Sequence, residues 1–100
     1  MNKSLQKWEV YIIQTESGKL YTGITTDLER RFKAHQKHQK GARFFHFSSP
    51  EKVVFRESHL DRSQASKRET AIKKLTRKEK LILIDLAKEN LLEEKESPLS

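Results

Sequence analysis

The chain has 100 residues, of which 34% are apolar and 35% charged, with a formal net charge of +7 and no cysteine. The length suits a single compact domain, and the lack of cysteine excludes a disulfide framework and a cysteine-based zinc site. No apolar run is long enough for a signal peptide or a membrane span, so we expect a cytoplasmic protein without a membrane partner.

The charge is unevenly distributed along the chain. Residues 89–100 carry four glutamates against Lys95, so they contribute −3 and residues 1–88 contribute +10 to the total. We therefore predict a single cationic domain over 1–88 and an acidic, frayed tail over 89–100. The charge favours a nucleic-acid partner because neutralised phosphates release counterions, although solubility alone also explains basic composition.

Two strands are predicted at the start of the chain. Residues 8–14 alternate as a strand does, and Ser17 with Gly18 favours a turn before a second strand over 20–24. The loop would hold about five residues. Tyr21 and Gly23 would share a face of the second strand. The two faces of the first strand would hold Trp8, Val10 and Ile12 on one side, and Glu9, Tyr11 and Ile13 on the other.

A basic helix follows the hairpin. Thr26 and Glu29 form a capping-box pattern, and the helix is predicted to run to about Lys40, before Gly41. Leu28 and Phe32 mark its buried stripe. The positions of Arg31 and His35 beside that stripe predict that both point inward. The cations on its other faces are Arg30, Lys33, Lys37 and Lys40.

The rest of the chain is predicted as a loop over 42–51, a third strand over 53–57 and two helices. Asp61 followed by Gln64 indicates the start of a helix from Arg62 to about Leu75. Thr76 with Glu79 begins another, to about Leu92. The apolar stripe of the first of these helices is Ala65, Ile72 and Leu75, and Glu69 falls inside it.

Each polar residue of interest also has a simple structural explanation. Glu69 has Lys73 four residues later, so it is either one half of a helical ion pair or a ligand for a hard cation. The tyrosines Tyr11 and Tyr21 suit the edges of any strand, and Arg31 and His35 suit ordinary packing. The basic run AIKKLTRKEK at 71–80 is either a phosphate-contacting ridge or a solvated face.

Three motifs together resemble the GIY-YIG nuclease superfamily, and most closely its small stand-alone bacterial members. They are EVY at 9–11, YTG at 21–23 followed by ITTDLERRFKAH, and the later SKRETAIKKL. The resemblance covers about residues 7–86. Thr22 stands where the second motif has isoleucine. The resemblance implies an α+β fold with a central three-stranded antiparallel sheet flanked by helices.

The resemblance also implies a metal-dependent endonuclease that hydrolyses DNA phosphodiester bonds with one Mg or Mn ion, directed to structure or damage in DNA repair or recombination. Tyr11 would be the general base or a water-positioning hydroxyl, and Tyr21 a second hydroxyl at the scissile phosphate. Arg31 would hold the phosphate, His35 would assist, and Glu69 would bind the metal. Adjacent cations are expected to lower the pKa of Tyr11 from about 10 toward neutrality.

Nucleic-acid contacts are expected from the outer cations of the first helix and the segment after it. DNA is favoured over RNA as the partner. Two alternatives remain open: a nucleic-acid-binding domain that keeps the fold without cleaving, and a module that binds another protein. The predicted contacts to nucleic acid are Arg30, Lys33, Lys37, Lys40 and Arg43.

Overall fold

The fold is α+β, as predicted, with three strands and three helices in the computed structural model. The structure describes residues 7–37 and 48–96, with side chains up to residue 90. The elements in chain order are β1 (Trp8–Thr15), β2 (Leu20–Thr25), α1 (Leu28–Gln36), β3 (Pro50–His59), α2 (Arg62–Lys73) and α3 (Arg77–Glu96).

The strand β1 lies at the centre of an antiparallel sheet with the order β2-β1-β3. It joins β2 through a turn in which Gly18 adopts a φ of 91°, a left-handed conformation that glycine adopts at no steric cost. Helices pack on both faces of the sheet, so the two alternating sets of β1 side chains enter two separate cores.

The first core lies between the sheet and the helices α2 and α3. Val10 and Ile12 of β1 are fully buried in it, as the alternation predicted. They pack with Phe55, Ala65, Ile72 and Ile84. Trp8 borders this core, and the guanidinium of Arg62 lies 5.5 Å from the centre of its indole ring, which fastens the start of α2 to the start of β1.

The second core lies under α1. Its buried members are Tyr11, Ile13 and Leu28, and Tyr21, Phe32 and Val53 pack against them at the periphery. Leu28 and Phe32 therefore form the buried stripe predicted for the helix. This smaller core carries both tyrosines singled out in the sequence.

The strand β3 is longer than the predicted 53–57. Its polar ends also pair with β1, because backbone hydrogen bonds extend a strand past its apolar centre. Ile12 pairs with Phe55 whereas Ile13 pairs with Val53, so Val54 is an extra residue in a β-bulge. Val54 and Phe55 consequently both pack on the first core, and Val53 packs on the second.

The start of α1 differs from the prediction by one residue. The N-cap is Asp27, not Thr26: its carboxylate accepts a hydrogen bond from the backbone N–H of Arg30 at 3.1 Å. The Thr25 hydroxyl in turn accepts the N–H of Asp27 at 3.1 Å. Aspartate is as strong an N-cap as threonine or stronger, so the helix begins at Leu28.

The other helix starts are as predicted. The Asp61 carboxylate accepts the N–H of Gln64 at 2.9 Å. Thr76 and Glu79 form a complete capping box, with bonds of 2.8 Å and 3.1 Å in the two directions.

The helix ends are less well predicted than the starts. The helix α2 ends at Lys73, before the predicted Leu75, and α3 continues to Glu96, beyond the predicted Leu92. The helix α1 ends at Gln36, short of about Lys40; Lys40 and Gly41 lie outside the described residues. Within the described part of the chain, no helix has the length and apolarity needed to cross a membrane.

Candidate active site

In the candidate site, the ring of a tyrosine on one strand lies over a glycine on the neighbouring strand. Tyr11 of β1 pairs with Gly23 of β2. A Cβ atom on Gly23 would lie 2.6 Å from Oη and 2.8 Å from Cζ of Tyr11, and 3.2 Å from Cε2 of Tyr21. Only glycine therefore lets the phenol of Tyr11 take this position. Sequence reasoning missed this role, although a mid-strand glycine opposite a tyrosine was a usable signal.

Tyr11, Tyr21 and His35 form one group of side chains, the phenol cluster. The Tyr11 and Tyr21 rings lie 6.2 Å apart, and the Tyr21 and His35 rings meet edge to face at 5.5 Å. Tyr11 Oη lies 3.3 Å from His35 Nε2. Tyr11 and His35 are each only 2% exposed, so the predicted inward orientation of His35 is confirmed. The hairpin and α1 thus bring these three side chains together.

His35 is neutral at physiological pH. Burial, followed by the nearby charge of Arg31, lowers the pKa of His35 from 6.5 to about 4. A neutral imidazole protonated at Nδ1 accepts a hydrogen bond at Nε2, which is the nitrogen facing the Tyr11 hydroxyl. In that tautomer His35 orients the Tyr11 proton and leaves the oxygen lone pairs directed elsewhere.

The expectation of a lowered pKa for Tyr11 is wrong for the protein alone. Burial raises the pKa of Tyr11 above its ordinary value of 10.0, and the nearby Tyr21 and Glu69 raise it further. The charge of Arg31 lowers the pKa of Tyr11, but by less than burial raises it. Desolvation penalises the phenolate more strongly than one exposed guanidinium stabilises it. Tyr11 is therefore a neutral phenol at neutral pH.

Arg31 is exposed, so the prediction that its side chain points inward is wrong. It lies one helical turn before His35 on α1, and its charge affects the pKa of both Tyr11 and His35. A long, flexible cation keeps its charged head in water unless a buried carboxylate pairs with it. Its position beside the cluster leaves the guanidinium accessible to an external anion.

Glu69 of α2 is held by the ion pair that its spacing suggested. Its Oε2 lies 3.0 Å from Lys73 Nζ, and its side chain is 20% exposed against 54% for Lys73. The charge of Glu69 contributes to the raised pKa of Tyr11, so the carboxylate lies within electrostatic range of the phenol. The fold therefore brings Glu69 and Arg31 to the surroundings of the phenol cluster.

Glu69 is a lone carboxylate, a type of ligand that a divalent cation such as Mg²⁺ accepts. Among residues 7–37 and 48–90, no three histidine or carboxylate side chains come together as a set of metal ligands. Mg²⁺ commonly takes only one or two carboxylates and completes its octahedron with waters and substrate phosphates. The competing ion pair with Lys73 is a partly exposed i,i+4 pair, a type worth only about 0.3–0.5 kcal/mol, so it presents a small obstacle.

The outer face of α1 is basic, as predicted. Arg30, Lys33 and Lys37 are all exposed, and none of them forms an ion pair with another described residue. Lys40 and Arg43, the other two predicted nucleic-acid contacts, lie outside the described residues. The described cations of α1 are thus free to meet an external polyanion.

Comparison with known proteins finds a family model and relatives that match most of the chain. The family model described as the GIY-YIG catalytic domain matches residues 7–82, which include every member of the phenol cluster as well as Arg31 and Glu69. The UPF0213 protein DP2720 of Desulfotalea psychrophila is 52% identical over 77 residues, covering 75% of this chain and 70% of the relative. The UPF0213 protein YhbQ of Escherichia coli K12 is 43% identical over 77 residues, which cover 77% of this chain and 76% of the relative.

A solved structure supports the fold as well. The solution NMR structure of the UPF0213 protein BH0048 from Bacillus halodurans matches with a TM-score of 0.53 and 34% identity. The match covers 80% of this chain and 84% of the solved one.

Proposed function

This chain belongs to the GIY-YIG family, a nuclease family, and from that premise we propose that it is a metal-dependent endonuclease that hydrolyses DNA phosphodiester bonds. The observation that carries the proposal is the meeting of unlike chemical groups around Tyr11. Two hydroxyls and a neutral imidazole are in ring or hydrogen-bond contact there, and a guanidinium and a carboxylate both lie within electrostatic range. A purely structural core has no need of this combination.

Arg31 supplies the positive charge that the reaction needs. Attack of water on a phosphodiester places additional negative charge on the phosphoryl oxygens in the transition state. A guanidinium offers several N–H donors in a fixed plane that matches phosphate oxygens. Arg31 is exposed beside the phenol cluster, so its side chain can bind the scissile phosphate while α1 keeps its position.

Tyr11 serves as a positioning hydroxyl. Because its raised pKa keeps the phenol protonated, the O–H donates to His35 and the oxygen accepts a hydrogen bond from the attacking water. The water oxygen bonds to phosphorus, one ester P–O bond breaks, and the leaving oxygen takes up a proton as the water loses one. Tyr21, at the edge of the phenol cluster, donates a hydrogen bond from its hydroxyl to a phosphate oxygen.

Glu69 would hold one Mg or Mn ion after releasing Lys73. Such an ion supplies Lewis-acid stabilisation of the phosphoryl oxygens and lowers the pKa of neighbouring hydroxyls and water. A released Lys73 keeps its positive charge beside the substrate.

DNA is the proposed substrate, with recognition of structure or damage in repair or recombination. The formal charge of +10 over residues 1–88 attracts any nucleic-acid backbone, and the exposed cations of α1 suit phosphate contacts, which carry no base sequence. We therefore expect weak sequence preference.

Nicking of supercoiled plasmid and branched DNA tests this proposal. We expect the wild-type protein to nick DNA when Mg or Mn is present, and Glu69→Ala to lose the activity while it still binds DNA. Tyr11→Phe should lower the rate by about 10²-fold or more, and Arg31→Ala by a similar factor.

Lys73→Gln is the matched control, because it removes the partner of Glu69 and leaves the carboxylate. This variant should retain nicking and need less metal for half-maximal rate. A wild-type protein that binds every DNA tested but leaves it intact in both metals would contradict the nuclease function and favour a non-catalytic binding domain.

A further inference from the structure

A second cluster of cations lies where the β1–β2 turn meets the start of α3. Lys19, Leu20, Arg77 and Lys80 line a cavity of about 220 Å³ there. Arg77 and Lys80 are three residues apart on α3 and so share one face of the helix. The guanidinium of Arg77 reaches over the turn, where its Nη2 lies 4.0 Å from the position of a Cβ on Gly18. We call this group the turn cavity.

The cations of the turn cavity, like those on the outer face of α1, form no ion pair with another described residue. Lys73, Arg68 and Arg56 each pair with a glutamate at 2.9–3.0 Å. Within the described residues, Lys19, Arg77 and Lys80 form no ion pair, and no carboxylate lines the cavity. The nearby Glu79 is engaged in the helix cap at Thr76. Three cations that line one cavity offer several donors to a bound anion, and like charges brought close together favour binding of an anion between them.

The position of the turn cavity relates it to the phenol cluster. Lys19 and Leu20 immediately precede Tyr21, so Lys19 lies about 7 Å from Tyr21 along the strand direction, at about 3.3 Å per residue. Leu20 packs on the first core whereas Tyr21 packs on the second, so the turn cavity and the phenol cluster lie on opposite faces of β2, which is an edge strand of the sheet. A nucleic acid that passes around this edge of the sheet, with its scissile phosphate at Tyr21 and Arg31, brings a neighbouring part of its backbone to the turn cavity.

We propose that the turn cavity binds a backbone phosphate flanking the scissile one, and so fixes the direction in which the nucleic acid crosses the domain. The inference rests on the nuclease function proposed above and assigns a role to part of the basic run at 71–80. Arg77 and Lys80 donate to the phosphate oxygens from one side and Lys19 from the other, while Leu20 supplies the apolar floor. Contacts of this kind position a substrate without reading its bases.

The double variant R77Q/K80Q tests the inference through binding to a short fluorescent DNA duplex at several salt concentrations. Each phosphate contact contributes about 0.9 to the slope of log affinity against log salt concentration. We expect the slope of the double variant to fall by about 1 and its affinity at low salt to fall about tenfold. The KM for nicking should rise with kcat unchanged, because the reacting groups are untouched.

Lys78→Gln is the matched control. Lys78 lies on the same helix, is exposed and carries the same charge, but does not line the cavity. It should leave the salt slope within a few tenths of the wild-type value. A slope equally reduced by Lys78→Gln would overturn the inference in favour of a diffuse basic surface, as would an unchanged slope in the double variant.

Two further measurements separate loss of phosphate binding at the turn cavity from misfolding of a variant and from the absence of nuclease activity. Circular dichroism checks the fold of each variant, and Lys19→Gln, on a different element, should lower the slope independently. Binding and nicking are measured separately, so a wild-type protein that binds without nicking contradicts the nuclease function, while the salt slopes still decide whether the turn cavity contacts a phosphate. A wild-type protein that does not bind the duplex overturns both.

Discussion

At the scale of single residues, the arrangement of the phenol cluster depends on the absence of a side chain at Gly23. The absent Cβ gives the Tyr11 phenol the space to lie over β2, 3.3 Å from the His35 imidazole. Burial then raises the pKa of one partner and lowers that of the other, so both are neutral at physiological pH. In the protein without substrate, Tyr11 and His35 therefore hold the phenol proton in place and do not transfer it.

The substitution Gly23→Ala should displace Tyr11. The new methyl group would lie 2.6 Å from the phenol oxygen, a distance that forces the ring away from His35. Misplacement of a catalytic group by about 1 Å costs about 10²-fold in rate, and overpacking costs about 1–3 kcal/mol of stability. Nicking rates and urea unfolding measure the two effects.

Gly18→Ala provides the control for this substitution. Gly18 has a φ of 91°, so alanine there is strained and should also destabilise the protein. It lies outside the phenol cluster, and the nicking rate per folded molecule should stay near the wild-type value. Equal losses of rate in the two variants would show that Gly23 acts through stability alone.

His35 should make the folded state sensitive to mild acid. Its pKa is about 4 in the folded protein against about 6.5 in the unfolded chain, so the unfolded state binds more protons between these values. Its contribution to stability is fully present above about pH 6.5 and is lost as the pH falls toward 4. At about 1.4 kcal/mol per pKa unit the loss amounts to about 3 kcal/mol.

Urea unfolding at a series of pH values measures this dependence. The variant His35→Asn cannot titrate in this range, so its stability should decline less between about pH 6.5 and pH 4 than that of the wild-type protein. Parallel declines in the two proteins would assign the acid sensitivity to other groups.

At the scale of secondary-structure elements, α1 carries the site and its start determines where the site residues point. With Asp27 as the N-cap, the helix begins at Leu28 and buries both Leu28 and His35. Arg31 lies between them in the sequence but stays exposed. The same helix thus places one site residue in the core and another in solvent.

Substitutions at the start of α1 distinguish the two candidate caps. Asp27→Ala removes the acceptor for the Arg30 N–H and should lower the free energy of unfolding by about 1 kcal/mol. Thr26→Ala should cost clearly less. Urea denaturation of both variants provides the measurement, and a larger loss for Thr26→Ala would restore Thr26 as the cap.

At the scale of the whole molecule, charge is separated along the chain. Residues 1–88 carry +10 and residues 89–100 carry −3. A negative segment on a cationic protein reduces the attraction that the rest exerts on a polyanion. The final segment should therefore weaken nucleic-acid binding through the overall field.

Replacing Glu89, Glu93, Glu94 and Glu96 by glutamine tests this effect and changes the formal net charge from +7 to +11. The variant should bind DNA more tightly at low salt. The gain should shrink as the Debye length falls from about 30 Å at 0.01 M to about 10 Å at 0.1 M salt. Fluorescence anisotropy across this range measures it.

Lys95→Gln is the opposite control, because it removes a positive charge from the same segment and should weaken binding slightly. A gain in affinity that does not change with salt would indicate a specific contact of the acidic segment rather than its field.

Features that depend on residues close together in the chain could be predicted from the amino-acid order alone. Alternation assigned Val10 and Tyr11 to opposite faces of β1, the Thr76 and Glu79 spacing gave the start of α3, and the i,i+4 spacing gave the pair of Glu69 with Lys73. These follow from the fixed periods of strands and helices, which act over a few residues.

Features that depend on residues far apart in the chain became visible in the folded molecule. The exposure of Arg31 and the direction of the Tyr11 pKa shift arise where the hairpin, α1 and α2 meet. The meeting of Lys19 with Arg77 likewise joins residues far apart in the chain. Burial and electrostatic environment are sums over all neighbours in space, so no local pattern in the sequence contains them.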